Sequence, residues 1–255
     1  MMDDYTKDGL LYCGKCHTKK QTRVSWMGRD IVVSCLCKCE TEKREKEEEE
    51  EKARQRMLQV ERYRSAGIGD AELKRCRFEN DDGKNGKVSA MCKNFVKNFA
   101  DFKREGKGLM LYGTVGTGKT FYASSIANAL IDGLTPCLVT NFTRISNRLT
   151  GSFEGRQEYL DSLNSYSLLV IDDFAMERNT DYMNEIVYNV IDARYRSKKP
   201  LIVTTNLTME DFEKPQGIER QRIYSRIREM CIPVLVSGTD RRRETDNSII
   251  TKLFE

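Results

Sequence analysis

The stretch GLMLYGTVGTGKTFYASSIANAL, residues 108–130, joins three patterns that decide the fold class. The apolar run LMLY predicts a buried strand, and the run TFYASSIANAL predicts a helix. Between them, GTVGTGKT at 113–120 fits the pattern G-x-x-x-x-G-K-[ST]. In this context the glycines let backbone N–H groups curl around phosphates, and the helix N-terminus adds the positive end of its dipole. The stretch therefore predicts a phosphate-binding loop.

Two side chains of this loop have predicted roles toward a nucleotide. Lys119 reaches the β- and γ-phosphate oxygens, and Thr120 ligates Mg²⁺. The alternative is a glycine-rich turn without a ligand, but a match in both sequence and context favours nucleotide binding. The residues predicted to bind the nucleotide are Gly113, Thr114, Val115, Gly116, Thr117, Gly118, Lys119, Thr120 and Phe121.

Two adjacent carboxylates follow a later apolar run in SLLVIDDFAMERNT, residues 167–180. Asp172 is the predicted Mg²⁺ ligand at the end of the strand. Asp173 then lies where a carboxylate can orient or deprotonate an attacking water, so it is the candidate general base. The alternative is that one of the two acids only caps a helix.

A polar amide ends another apolar run, LIVTTN, at Asn206. In a parallel sheet it would lie at the same edge as the two aspartates, where it could hold the water or sense the γ-phosphate. The alternative is an asparagine that starts a turn before the next helix.

Apolar runs alternate with amphipathic ones from about residue 67 to the end of the chain. The predicted strands lie at 108–113, 136–141, 166–172, 200–206 and 232–238, with helical periodicity between them. This alternation is typical of parallel βαβ units. We therefore predict an α/β domain over residues 67–255 with a five-stranded parallel sheet and helices on both faces.

Length and charge restrict the function classes. A chain of 255 residues can form one main core of roughly 150–200 residues and a smaller module. A net charge of +4 excludes a polycation that coats nucleic acid, so any such contact needs a local patch. No run approaches the roughly 18–20 apolar residues of a membrane span, and the N-terminus lacks a signal-peptide pattern. We expect a cytosolic protein that does not bind membranes.

Five of the nine cysteines crowd into residues 13–39. In a reducing compartment this clustering points to a metal rather than disulfides, and a region so short of aliphatic residues needs a metal to fold. Cys13 and Cys16 form a C-x-x-C pair, but Cys35, Cys37 and Cys39 compete for the remaining places, and His17 could substitute. Free cysteines or a redox pair are the weaker alternatives.

A highly charged segment separates this region from the α/β domain. Residues 41–66 carry acidic and basic side chains at three- and four-residue spacing, which predicts a solvated helix with internal ion pairs. We predict a zinc-binding module at 1–40 and a helical linker or docking surface at 41–66.

Arginines are concentrated near the end of the chain. Residues 214–243 hold eight basic and three acidic side chains. Arg222 and Arg226 lie on one face of a predicted helix, and arginines that face a neighbouring subunit can complete its ATP site. Arg241 to Arg243 follow the last strand and could reach the phosphates of the same chain. Surface charge or DNA contact is the alternative for both groups.

Residues 108–243 resemble the AAA+ ATPases of the DnaC/DnaI helicase-loader group, whose close relative is the IstB transposition ATPase. The resemblance rests on the loop and strands quoted above, on RIYSRIREMCIPV and on SGTDRRRE. It implies ATP and Mg²⁺ as ligands, Asp172 and Asp173 as the Walker B acids, and Asn206 as sensor 1. It also implies Arg226 as a finger that acts on a neighbour's ATP and Arg242 as sensor 2. The second Walker B acid is usually Glu in the broader family, and the shorter Asp173 implies slow turnover.

The resemblance extends to partners and to zinc. It implies Cys37 and Cys39, in CKCE, as the second pair of zinc ligands beside Cys13 and Cys16, which leaves Cys35 spare. The N-terminal region would then dock on a replicative helicase, and copies of the protein would assemble side by side. Single-stranded DNA would contact the segment after the second strand, where Arg144, Arg148 and Arg156 could track phosphates and the nearby Phe142 and Phe153 could stack on bases.

These implications predict an ATP-dependent helicase loader or replication protein. Two other functions stay open: an IstB-like transposition helper that binds duplex DNA and a transposase, and a nucleotide-gated adaptor with negligible hydrolysis.

Overall fold

The computed structural model describes residues 3–150, 155–176, 180–215 and 217–241. It divides the chain into two compact units, residues 1–58 and residues 59–255. This division falls inside one helix, α1 (Lys38–Gly67), which contains the whole predicted linker. The predicted boundaries at 40/41 and 66/67 remain predictions.

The first unit consists of two short β-hairpins and the start of α1. Strand β1 (Tyr5–Lys7) pairs with β2 (Leu10–Tyr12), and β3 (Gln21–Trp26) pairs with β4 (Arg29–Ser34), both antiparallel. Among the described residues of this unit, Leu10 is the one buried apolar side chain besides cysteines. Hydrophobic burial alone therefore gives the unit little stability.

The second unit contains a sheet of five parallel strands in the order β6-β7-β8-β5-β9. The strands are β5 (Gly108–Tyr112), β6 (Cys137–Thr140), β7 (Leu168–Phe174), β8 (Leu201–Thr205) and β9 (Cys231–Leu235). The predicted five-stranded parallel sheet is confirmed.

Helices cover both faces of this sheet. They are α2 (Ala71–Arg75), α3 (Gly86–Lys97), α4 (Phe99–Glu105), α5 (Lys119–Asp132), α6 (Phe142–Thr150), α7 (Arg156–Leu163), α8 (Asp181–Arg196), α9 (Met209–Glu213) and α10 (Ile218–Met230). Successive strand residues point to opposite faces, so Leu109 and Leu111 pack with α3 and α5, whereas Met110 packs with α6, α8 and α10. These contacts form two apolar clusters, one on each face of the sheet. The clusters hold the strands in place, and with them the C-terminal strand ends that carry Asp172, Asp173 and Asn206.

The buried guanidinium of Arg194 links the starts of two neighbouring strands. The side chain of Arg194, on α8, is fully buried and donates hydrogen bonds to the carbonyls of Tyr166, Ser167 and Pro200. These carbonyls lie just before β7 and β8. Arg194 therefore joins the starts of β7 and β8; the other end of β7 carries the predicted acids, and Asn206 follows the other end of β8.

Candidate nucleotide site and metal centre

The glycine-rich loop runs from the end of β5 to the start of α5. Gly116 has φ +79° and Gly118 has φ +97°, backbone conformations that residues with a Cβ rarely adopt. The hydroxyl of Thr117 closes the loop by donating to the carbonyl of Thr114 at 2.9 Å. The turn therefore depends on its own glycines and places the N-terminus of α5 at the mouth of a cavity.

Lys119 lies under this loop and is 6% exposed. Its Nζ donates to the carbonyl of Gly113 at 2.9 Å and to that of Thr114 at 2.7 Å. These bonds hold the ammonium group against the loop, where phosphate oxygens would meet it. The structure thus brings Lys119 to the position that the motif predicts.

Asp172 and Thr120, the two predicted Mg²⁺ ligands, lie in contact. The Oδ1 of Asp172 accepts a hydrogen bond from Thr120 Oγ1 at 2.8 Å and another from Thr204 Oγ1 at 2.6 Å. Burial raises the pKa of the Asp172 carboxyl above its ordinary value; the two hydroxyl bonds oppose that rise, and the charge of Asp173 adds to it. A hydroxyl beside a carboxylate is a donor set that suits Mg²⁺.

Asp173 differs from its neighbour in backbone and exposure. Its φ of +52° lies in the left-handed region, and its side chain is exposed. The β7–β8 ladder is irregular at this point, between Ile171 and Phe174. The irregularity separates the two acids: Asp172 lies against Thr120, and Asp173 lines the open cavity.

The cavity beside the loop has a volume of about 440 Å³, which is within the range of small-ligand sites. It is lined by Cys76, Val115, Gly116, Gly118, Lys119, Thr120, Phe121, Asp173, Met176, Asn206 and Arg241. Loop residues, the second acid and the amide from β8 therefore converge on one space. Asn206 follows β8, and its Nδ2 lies 3.9 Å from the sulfur of Met176.

A segment before α3 forms another wall of this cavity. The amide Nδ2 of Asn128, on α5, donates to the carbonyls of Leu73 at 2.8 Å and Cys76 at 2.9 Å. Burial raises the pKa of the Cys76 thiol to about 11, so it stays protonated at neutral pH. Sequence reasoning missed this wall, because its link to α5 is a long-range side-chain contact.

The resemblance implies a finger role for Arg226 and a sensor 2 role for Arg242, and only Arg226 lies among the described residues. Arg226 forms an ion pair with Asp192 at 2.6 Å, and its guanidinium lies 4.9 Å from the ring centre of Tyr188. The structure therefore engages it inside its own chain, and the finger role stays a prediction. Arg242 lies outside the described residues.

Arg241, which precedes the predicted sensor 2 residue, lies at the loop. Its backbone N–H donates to the carbonyl of Gly116 at 3.1 Å, and its guanidinium forms an ion pair with Asp82 at 3.3 Å. A Cβ on Gly118 would lie 3.1 Å from that guanidinium. The run of three arginines marked this position in the sequence but did not distinguish its members.

In the first unit, four thiols form the predicted cluster. The sulfurs of Cys13, Cys16, Cys37 and Cys39 all lie within 4.8 Å of one another. Cys39 lies 3.5 Å from Cys13 and 3.3 Å from Cys37, sulfur to sulfur. Four thiolates at about 2.3 Å from a tetrahedral Zn²⁺ would be roughly 3.8 Å apart, so the donor set fits zinc.

The two alternative ligands lie outside this cluster of thiols. Cys35 directs its sulfur toward the carbonyl of Lys19 at 3.5 Å. His17 places its ring 5.8 Å from that of Tyr5, centre to centre. The arrangement therefore favours the pair Cys37 and Cys39 over any set that includes Cys35 or His17.

The segment predicted to contact single-stranded DNA is only partly available. Arg144 and Arg148 are exposed on α6, and Arg148 also lies over the ring of Tyr159. Phe142 is 2% exposed and packs against Phe174, so the prediction that it stacks on bases was wrong. Phe142 and Ile145 form the apolar face that attaches α6 to the sheet.

Of the two remaining residues predicted to contact DNA, one lies among the described residues and one does not. Arg156, at the start of α7, donates its Nε to the carbonyl of Leu149 at 3.0 Å, and Phe153 lies outside the described residues. Throughout the described ranges, no helix combines the length and apolarity of a membrane span.

Comparisons with known proteins identify an ATP-binding family and two helicase loaders as relatives of this chain. A family model described as IstB-like ATP binding protein matches residues 43–246. The replicative helicase loader DnaI of Bacillus subtilis is 24% identical over 161 residues, 58% of this chain and 51% of DnaI. The replicative helicase loader DnaC of Escherichia coli K12 is 28% identical over 166 residues, 61% of this chain and 64% of DnaC. The chain thus matches about half to two thirds of these relatives' lengths.

Solved structures show the same fold. The crystal structure of the DnaC helicase loader superposes with a TM-score of 0.59 at 23% identity, covering 66% of this chain and 100% of that one. The crystal structure of DnaI gives 0.55 at 25% identity, covering 68% and 93%. The family model spans most of the chain and the sheet is that of the AAA+ neighbours, so the resemblance is confirmed and this chain belongs to the IstB-like ATP-binding family.

Proposed function

We propose that this protein is an ATP-hydrolysing helicase loader. The observation that carries the proposal is the convergence of Lys119, Thr120, Asp172 and Asp173 at one edge of the sheet. The relatives named as replicative helicase loaders support the choice among ATPase functions.

The residues divide the chemistry among them. Lys119 exchanges its loop carbonyls for phosphate oxygens, and Thr120 with Asp172 would hold Mg²⁺, which offsets negative charge on the phosphates when bound. Asp173 accepts the proton of the attacking water, and Asn206 orients that water from the next strand. Arg226 of a neighbouring copy completes the site. The ion pair with Asp192 orients the guanidinium of Arg226.

Hydrolysis is slow in this proposal and times release from the helicase. The carboxylate of Asp173 is one methylene shorter than the usual Glu, so its reach to the water is poorer. This geometry suits a switch that changes state once per loading event.

The first unit is the proposed docking element for the helicase. Val24 and Ile31 are directly opposite in the β3–β4 hairpin and share a face with Trp26, and all three are at least 41% exposed. Val32 pairs with Arg23 on the opposite face and is 50% exposed. Exposed apolar side chains grouped on one face are typical of protein-binding surfaces.

A pull-down of the cognate replicative helicase tests this docking. Full-length protein should retain the helicase, a Val24→Ser/Trp26→Ser variant should lose most of it, and Val32→Ser should behave like wild type. Equal retention by all three would remove the hairpin from the proposal. If wild type retained no helicase but bound a transposase and duplex DNA, the IstB-like function would replace the loader function.

Single-stranded DNA is the proposed nucleic-acid ligand, and the exposed arginines of α6 are its proposed contacts. An Arg144→Ala/Arg148→Ala variant should bind a labelled oligonucleotide more weakly in fluorescence polarisation, with a shallower salt dependence, because each lost cation removes a phosphate contact. An unchanged salt slope would show that the strand binds elsewhere.

A further inference from the structure

Thr204, the fourth residue of β8, makes two hydrogen bonds that join the acids of the nucleotide site. Its hydroxyl donates to Asp172 Oδ1 at 2.6 Å and accepts the backbone N–H of Asp173 at 2.9 Å. The side chain is completely buried. One buried oxygen therefore contacts the predicted metal ligand and the backbone of the predicted base.

The irregular ladder explains why this hydroxyl is needed. Ile171 pairs with Val203 and Phe174 pairs with Thr205, so two residues of β7 lie opposite Thr204 alone. A bulge of this kind takes residues out of regular backbone pairing. The hydroxyl of Thr204 provides an acceptor for the N–H of Asp173 at this point.

The backbone of Asp173 adds a second requirement. Its φ of +52° is sparsely populated by residues other than glycine, and such conformations persist when surrounding contacts fix them. The bond from its N–H to Thr204 is one of these contacts. The conformation leaves the carboxylate of Asp173 exposed at the cavity that Lys119 and Asn206 line.

The direction of the bonds follows from the chemistry of a hydroxyl. It has one hydrogen, and donating it to Asp172 leaves the lone pairs to accept from Asp173. Thr120 donates to the same Oδ1 at 2.8 Å, so two hydroxyls orient that carboxylate. A serine could make both bonds, whereas the isosteric valine could make neither.

We propose that Thr204 is a positioning residue for ATP hydrolysis: its hydroxyl holds Asp172 in the orientation that binds Mg²⁺ and holds the backbone of Asp173 so that its carboxylate faces the water. This inference rests on the proposed ATPase function. Thr204 acts through the two acids and does not itself contact the nucleotide cavity.

The test compares Thr204→Val, Thr204→Ser and the matched control Thr205→Val. Thr205 is the next residue along β8, is equally buried and donates to the carbonyl of Phe174 at 2.9 Å, but it contacts neither acid in the described bonds. Two measurements are made on the full chain: single-turnover phosphate release, and affinity for a fluorescent ATP analogue over a Mg²⁺ titration and in EDTA.

Thr204→Val should raise the Mg²⁺ concentration for half-maximal analogue binding by roughly 10-fold and lower the turnover rate by about 10- to 100-fold, because outer contacts of metal ligands typically have effects of this size. Its analogue affinity in EDTA should stay within about twofold of wild type, since no metal is bound there. Thr204→Ser should restore both properties, and Thr205→Val should lose thermal stability without either change.

Two results would overturn the inference. One is a Thr204→Val protein with wild-type Mg²⁺ dependence and turnover, and the other is a Thr205→Val protein with the same losses as Thr204→Val. If wild type itself released no more phosphate than Lys119→Ala, the ATPase proposal would fail, and the Mg²⁺ titration of analogue binding would still decide the role of Thr204.

Discussion

Removal of zinc from the predicted four-cysteine site should unfold the first unit. Leu10 is its one buried apolar side chain besides cysteines among the described residues, and burial of one leucine contributes about 1.5–3 kcal/mol. A structural zinc site contributes about 10–16 kcal/mol of apparent folding free energy at neutral pH. The stabilisation expected from zinc binding is therefore several times larger than that from burying Leu10. The hairpins should not stay folded without the metal.

The chain offers a specific reporter and a matched control for this experiment. Trp26 is the single tryptophan, so its indole N–H gives one resonance that reports on the β3–β4 hairpin. Purified protein should hold one zinc per chain, and a chelator or Cys13→Ser should move the indole resonance to its unfolded position. Cys35→Ser should change neither zinc content nor spectrum, because Cys35 lies outside the cluster.

Retention of the hairpin resonance in protein shown to be free of metal would refute this reasoning. Loss of zinc in Cys35→Ser together with retention in Cys37→Ser would instead show that the ligand set is wrong.

The remaining predictions concern the second unit. Asp173→Asn should lower the hydrolysis rate by about 10²- to 10⁴-fold, the usual range for loss of a general base. Its melting temperature should not change, because asparagine also tolerates positive φ. A wild-type rate would exclude Asp173 as the base. Asp173→Glu should raise the rate by extending the carboxylate, and loss of turnover would contradict the timing argument. Arg194→Met should lower the free energy of unfolding of the unit by about 3 kcal/mol in denaturant, because three buried carbonyls lose their donor. The control Arg196→Met, at an exposed position, should lower it by less than about 0.5 kcal/mol. Equal effects would show that the buried bonds of Arg194 do not stabilise the unit.

Local patterns in the sequence predicted the parts of the fold that depend on local chemistry. The loop at 113–120 has its glycines, lysine and threonine at fixed spacing, so its conformation follows from neighbouring residues. The strand before Asp172 is apolar at each of its first four positions because both of its faces are buried. For these features, the residue types alone define strand, turn and helix.

Long-range contacts decided the features that the sequence did not predict. The positive φ of Asp173 depends on the β7–β8 pairing, which no pattern in LLVIDDF encodes. The ion pair of Arg226 with Asp192 joins α10 to α8. The sequence of α10 by itself therefore could not predict this partner. Phe142 begins α6, and which face of that helix meets the sheet is determined by packing against Phe174.

The proposed ATPase activity is measured by phosphate release from wild type and Lys119→Ala, each with Mg²⁺ or EDTA and with or without single-stranded DNA. Wild type should release phosphate slowly, in a Mg²⁺-dependent manner and faster than Lys119→Ala, because Lys119 is held against the loop that is proposed to bind the phosphates. Release indistinguishable from that of Lys119→Ala under every condition would contradict the claim and leave a nucleotide-gated adaptor as the function of this chain.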